Sequence, residues 1–150
     1  MSLDVYLHAA QPVAQDPPPQ IWVREDGQTR QVTRAEWDRR HPDRAPVTVT
    51  PAAETTVLYH DKITHNLATM AAAARLYHVL WRPERDGWTH AAQLCTPLRE
   101  GLARLTADAA AFRPLTPSNG WGTYEQLVTF VEAYLAACEA HPEARVEVSR

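Results

Sequence analysis

The chain opens on strict alternation: Leu3, Val5 and Leu7 are apolar, and Asp4, Tyr6 and His8 separate them. A period of two predicts a half-buried strand, and one that starts almost at the first residue is expected at the centre of its sheet. The alternation then stops. Pro12, Pro17, Pro18 and Pro19 stand among Gln, Asp and Ala, a composition that predicts an exposed linker. Ile21 to Glu25 and Thr29 to Val32 flank Asp26-Gly27, a strong signal for a tight β-hairpin. Thr33 with Glu36 three residues on forms a capping-box pattern, so Arg34 to Arg39 are expected to make one or two helical turns carrying Trp37, stopped by His41-Pro42. A proline-punctuated run, Pro46 to Pro51, returns the chain to its main body. Residues 11–53 therefore read as an insertion, either an appendage folded on its own contacts or a lid.

Thr55 to Tyr59 is rich in β-branched and aromatic residues and predicts a second main strand ending in His60-Asp61-Lys62. From Ile63 the period changes. Ile63, Leu67, Met70, Ala74, Tyr77 and Trp81 recur at three- and four-residue spacing, the apolar stripe of a helix capped by Thr64 or Asp61 and ended before Pro83. Trp88 and Thr89 open a second helical stretch through Leu94, Leu98, Leu102 and Leu105, in which Thr96-Pro97 marks a new helix start or a kink. Phe112 to Ser118 predicts a loop. Leu127, Phe130, Val131, Tyr134, Leu135 and Cys138 form a third stripe, stopped at His141-Pro142, and Ala144 to Arg150 alternates as a last strand.

The expected architecture is a single α+β domain over 1–150: a small, mostly antiparallel sheet that includes both termini, three main helices on one face, and the β-hairpin insertion. Composition narrows the class. With 15 Lys+Arg against 18 Asp+Glu the net charge is only −3, so duplex nucleic acid is not an expected partner. Lys62 is the single lysine among fourteen arginines, a balance that fits a GC-rich coding sequence better than a phosphate site. Cys95 and Cys138 are too few for a zinc site and fall in helical patterns, where they read as buried thiols or one inter-helix disulfide. No cofactor motif is present. The N-terminus lacks the basic start and apolar run of a signal peptide, and no stretch reaches membrane-span length, so a cytoplasmic protein is expected.

The candidate chemistry centres on Asn119-Gly120-Trp121-Gly122-Thr123-Tyr124, an aromatic loop between glycines that runs into a helix start. Thr123 with Gln126 repeats the capping box. The glycines either present Trp121 to a ligand or anchor it in a tight turn. Thr64, His65 and Asn66 lie at another expected helix start, where free N–H groups favour anions. Arg82 follows that helix, and Arg150 carries the terminal carboxylate. Together with Tyr59 and Tyr124 as stacking faces, these residues would suit an anionic, nucleotide-like molecule: arginine forks the phosphate, an aromatic ring holds the base, and Asn66 or Asn119 reads its edge. Each has a plainer reading as a cap, a turn or a surface ion pair.

Two other readings stay open. Trp22 and Trp37 on the ribbon, or an apolar helix face, would serve a protein-interaction module, and the leucine-rich faces would serve a homodimer. His60, Asp61 and His65, within a six-residue stretch, would serve a hydrolase if they converged.

Met1 to Leu7, Ile63-Thr64-His65-Asn66-Leu67, Met70-Ala71, Leu80-Trp81-Arg82-Pro83-Glu84, Asn119 to Glu125 and the terminal Val148-Ser149-Arg150 stand out together as one set of blocks. In these blocks the chain resembles a family of small phage and bacterial proteins carrying a domain of unknown function. The resemblance covers Met1 to His8 and Thr55 to the end, and treats 11–53 as variable. It implies a phage protein acting in the host cytoplasm, where sequestering or sensing a ligand would interfere with host defence.

Overall fold

Leu3, Val5 and Leu7 lose all solvent contact and lie on one side of the central strand of a three-stranded sheet. The computed structural model describes residues 1–10, 19–49 and 55–150. In chain order the strands and α-helices are β1 (Ser2–His8), β2 (Gln20–Glu25), β3 (Gln28–Val32), α1 (Arg34–Arg40), β4 (Thr48–Val49), β5 (Val57–Thr64), α2 (Ala68–Ala73), α3 (Tyr77–Trp81), α4 (Ala91–Ala107), α5 (Ala109–Phe112), α6 (Tyr124–Ala140) and β6 (Arg145–Ser149). The chain divides into two compact units, Met1–Ala10 with Thr55–Arg150, and Gln11–Glu54. The linker prolines Pro12, Pro17 and Pro18, and Pro51 of the return run, lie outside the described residues.

The larger unit is the expected α+β fold. β1 pairs antiparallel with β5 on one edge, Leu3 opposite Ile63, and with β6 on the other, Val5 opposite Val148. Both terminal strands are thus neighbours. Alternation puts Leu3, Val5, Leu7 and Ile63 into one core with the helices, whose Leu67, Met70, Leu80, Leu94, Leu98, Leu127 and Tyr134 are also buried. Asp4, Tyr6 and His8 take the opposite face. There Tyr6 stacks on His60 at 4.4 Å between ring centres, and His60 Nε2 lies 3.1 Å from Asp4 Oδ1. His8 Nε2 stands 2.8 Å from Glu147 Oε2, a charge contact that lacks hydrogen-bond alignment.

Three elements depart from the sequence pattern. The second strand does not end in His60-Asp61-Lys62 but runs on to Thr64, so Ile63 is a strand residue facing the core rather than the first of a helix. The helix expected over Ile63 to Trp81 is three pieces: a 3-10 turn at His65–Leu67, then α2 and α3. The break is at Arg75, whose φ is +60°. Leu76 N–H donates to the Ala71 carbonyl at 2.7 Å and Arg75 N–H to that of Ala72 at 3.0 Å, the bond pair that closes a helix through a left-handed residue. The apolar stripe survives the break because Leu67, Met70, Ala74 and Trp81 are buried all the same.

α4 starts later than expected, at Ala91, where Gln93 Oε1 accepts from Thr89 and His90 N–H, and it continues through Pro97 as one helix. An interior proline costs about 3 kcal/mol. Fully burying Leu94, Leu98 and Leu105 along α4, which packs against α6, is worth roughly 1.5–3 kcal/mol each and outweighs it. Those leucines fill the chain's own core, so the face expected to form a homodimer is covered from within. Phe112 closes α5, part of the span expected to be loop. Cys95 and Cys138 are free thiols, and burial first, then the neighbouring Cys95 and Glu139, pushes Cys138 up to about 12.

The smaller unit follows the pattern closely. β2 and β3 form the hairpin at Asp26-Gly27, whose two φ values are both positive, as its tight turn requires. Thr33 Oγ1 accepts from Glu36 N–H and starts α1. β4 adds to β2 as a third strand within the return run. Ile21, Val23 and Val32 make a small core of their own against Trp37, while Trp22 is exposed.

Candidate functional site

Trp121 is held out of the core by the backbone on either side of it. Its N–H donates to Asn119 Oδ1 at 2.9 Å, and Gly120 and Gly122 take φ values of +75° and +107° that L side chains rarely adopt. The ring is 69% exposed. The loop is nonetheless pinned at both ends. Thr123 Oγ1 accepts from Gln126 N–H and Gln126 Oε1 accepts from Thr123 N–H, the reciprocal cap that starts α6. Gly122 is pressed against Thr64 and Leu67, where a Cβ would stand 2.8 Å from a carbon of each.

Beside this loop lies a cleft of about 630 Å³, lined by Asp61, Lys62, Ile63 and Thr64 of β5, Gly120 to Gly122, and Glu125, Gln126, Thr129, Phe130 and Ala133 of α6. No residue of β1 or β6 lines it, so it opens past the outer edge of β5. Its size suits a small-molecule ligand or a few residues of peptide. Its polar groups are mainly acceptors. Asp61 Oδ2 accepts from the Tyr59 hydroxyl at 3.2 Å, and Oδ1 accepts from Lys62 N–H at 2.7 Å. Glu125 sits in the first turn of α6, where its own backbone N–H, and then Arg113 at 3.1 Å, hold its carboxyl below the usual range. The lining offers carboxylates, amide and hydroxyl groups over the apolar faces of Trp121 and Phe130, which is equipment for binding.

Of the residues expected to hold a ligand, Trp121 and Thr64 line this cleft, with Asn119 and Thr123 shaping its loop, and Asp61, expected to serve a hydrolase, lines it as well. Tyr124 is buried, its hydroxyl donating to the Leu105 carbonyl at 2.7 Å. Tyr59 packs on Tyr134 at 5.8 Å, and burial together with Asp61 raises its hydroxyl well above the ordinary value. Asn66 folds back on Thr64, donating from Nδ2 at 3.1 Å. His65, Arg82 and Arg150 form a separate group. Trp81 Nε1 donates to His65 Nδ1 at 2.9 Å, and Arg150 donates to the Trp81 carbonyl at 2.8 Å and to Glu84 at 2.9 Å. Arg82 reaches the same Glu84 oxygen at 3.7 Å. Two guanidiniums thus share one carboxylate, which already orients both of them.

His60, Asp61 and His65 do not converge. Consecutive strand residues point to opposite faces, so His60 meets Asp4 on the open face while Asp61 meets Tyr59 beside the helices, and His65 meets Trp81. Among the described residues no group of three or more His, Cys, Asp or Glu is placed to hold a metal ion, and no helix is long and apolar enough to cross a membrane.

The sequence reading missed the α6 wall of the cleft. Glu125, Thr129 and Ala133 recur every four residues beside the apolar stripe, so they share a helix face. That spacing was the available signal. Comparisons with protein-family models, with curated proteins and with solved structures find no match.

Proposed function

We propose that this is a small binding protein whose site is the cleft between β5 and α6. The observation that carries the reading is Trp121: a large ring, 69% exposed, fixed by two positive-φ glycines and a capped helix start at the mouth of a cleft. An indole turned out to solvent beside a cleft by its own backbone is a stacking face. The cleft favours a flat group bearing hydrogen-bond donors, neutral or positively charged, that stacks on Trp121 and donates to Asp61. The anionic nucleotide-like ligand expected from sequence fits less well, since its phosphate would meet carboxylates here and already engaged arginines at Glu84. The family resemblance adds a phage or bacterial setting, in which sequestering such a group from a host molecule is the simplest use.

A thermal-shift panel of nucleosides, nucleotides, guanidines, amines and sugars, run on the wild type and on Trp121→Ala, tests this. A ligand at a hundredfold its dissociation constant adds about 2.7 kcal/mol, read as several degrees in Tm. The expected result is stabilisation by a guanidine or nucleoside that Trp121→Ala loses. Stabilisation by nucleotides that persists in Trp121→Ala and disappears in Arg82→Ala would instead locate binding at the arginine group.

A further inference from the structure

The lining of the cleft includes four consecutive residues of β5, Asp61 to Thr64. Side chains along a strand alternate between faces, so four in a row line a cavity only where it runs along the strand's edge. β5 is an edge strand: β1 occupies one side, and among the described residues no strand occupies the other. Its outward N–H and C=O groups therefore border the cleft, where the Lys62 N–H donates to Asp61 Oδ1 at 2.7 Å and is released when that carboxylate turns to an incoming donor. The opposite wall, Glu125 to Ala133 on α6, spans about 12 Å at 1.5 Å per residue. Asp61 to Thr64 spans about 10 Å. The two walls make a groove as long as three or four residues of extended chain, closed at one end by Trp121.

Charge says which chain it accepts. Asp61 presents an acceptor to the groove, Glu125 is already paired with Arg113 at 3.1 Å, and Lys62 adds a cation to the strand's edge. Charged residues on an edge strand discourage indiscriminate pairing. Asp61 has no basic partner among the described residues; its contacts are the Tyr59 hydroxyl and the Lys62 N–H. A guanidinium answers all three demands, since it is planar enough to stack on an indole, positively charged, and able to fork a carboxylate.

We infer that the cleft takes an extended peptide segment, which adds to β5 as a further strand and lays an arginine side chain against Trp121 with its donors on Asp61. The inference rests on the cleft being the binding site and names its occupant. Main-chain bonds to the β5 edge supply affinity, and the arginine supplies selectivity.

The probe is a fluorescein-labelled, capped nonapeptide of alternating Thr and Val around one central Arg, titrated by fluorescence anisotropy against the whole protein. Controls are N-acetylarginine amide as an unlabelled competitor, the citrulline and Lys versions of the peptide, and versions with single N-methylated residues. The peptide is expected to bind at least tenfold more tightly than the amide competes. Citrulline should cost tenfold or more, and Lys less. N-methylation should cost tenfold at residues of one parity and nothing at the other, because only alternate residues face the edge. Equal binding by the amide, or indifference to N-methylation at both parities, overturns strand addition while leaving the cleft reading intact. Unchanged binding in Trp121→Ala overturns the cleft reading itself. No peptide binding to the wild type overturns the inference, and the small-molecule panel then judges the cleft independently.

Discussion

Gly122 and Leu67 lie so close that a Cβ on the glycine would stand 2.8 Å from Leu67 Cγ, and Leu67 is fully buried and has no room to yield. This contact ties the Trp121 loop to the turn that follows β5, and hence ties both walls of the cleft together. Gly122→Ala therefore suffers twice, from a φ of +107° and from the clash. A left-handed backbone costs an L residue about 1–2 kcal/mol, and overpacking adds about 1–3 kcal/mol. Gly120→Ala, with a φ of +75° but open space around it, suffers only the first. Chemical denaturation should show the Gly122 variant less stable than the Gly120 variant by at least ~1 kcal/mol. Equal losses would mean that the loop moves freely against Leu67.

Arg75 holds a left-handed conformation that glycine adopts without cost, at the residue that closes α2. Its side chain is exposed, so little packing is lost by removing it. Arg75→Gly should then raise stability, by up to about 1 kcal/mol, since relief of backbone strain exceeds the added freedom of the unfolded glycine. A fall in the denaturation midpoint would show instead that the arginine's own contacts outweigh the strain.

Arg75 also explains what the sequence could not announce. A helix closed by a left-handed residue usually carries glycine there, and with arginine in that place the stripe from Ile63 to Trp81 reads as unbroken. The change of period at Ile63 misled for a related reason: Ile63 faces the core at both strand and helix spacing, and only the pairing with Leu3 decides between them. By contrast β1, the hairpin at Asp26-Gly27, α6 with its Thr123 cap and β6 were legible, because each is specified by local chemistry that the packing does not override. The site was legible in Trp121 and Thr64, and in Asp61 only under another role. Its other wall required knowing that β5 is an edge strand, which is a fact of sheet order and leaves no mark in the chain.

Asp4 gives the sheet's open face a pH dependence. The hydrogen bond with His60, then that from Ser2, holds its carboxyl below the ordinary aspartate value, against a smaller opposing effect of burial. A carboxylate whose folded pKa is depressed stabilises above its unfolded pKa, and this contribution is lost as pH falls through the folded value. His60 is half exposed, so the whole effect is at most about 1 kcal/mol. Melting curves of wild type and Asp4→Asn should accordingly be separated near pH 5 and draw together from about pH 4 downwards. A separation that stays constant through acid would mean that asparagine's cost is steric and the carboxylate's charge contributes nothing.

Two buried tyrosines of α6 should respond oppositely to losing a hydroxyl. Tyr124 donates to the Leu105 carbonyl at 2.7 Å, so Tyr124→Phe removes a hydrogen bond and leaves a buried acceptor, which costs about 1–2 kcal/mol. Tyr134 is fully buried against Tyr59 and Phe130, and its hydroxyl has no hydrogen-bond partner among the described residues. Burial, then Cys138 and Tyr59, raises it well above its ordinary value, so it carries a proton it cannot donate. An unpaired buried hydroxyl costs about 1–3 kcal/mol, whereas the space it leaves is smaller than a methyl group and costs less than ~1 kcal/mol. Tyr134→Phe should therefore raise Tm by a few degrees while Tyr124→Phe lowers it, since about 1 kcal/mol moves a domain of this size by roughly 2–4 °C. A loss from Tyr134→Phe equal to that from Tyr124→Phe would show that a buried water completes the hydroxyl's bonding.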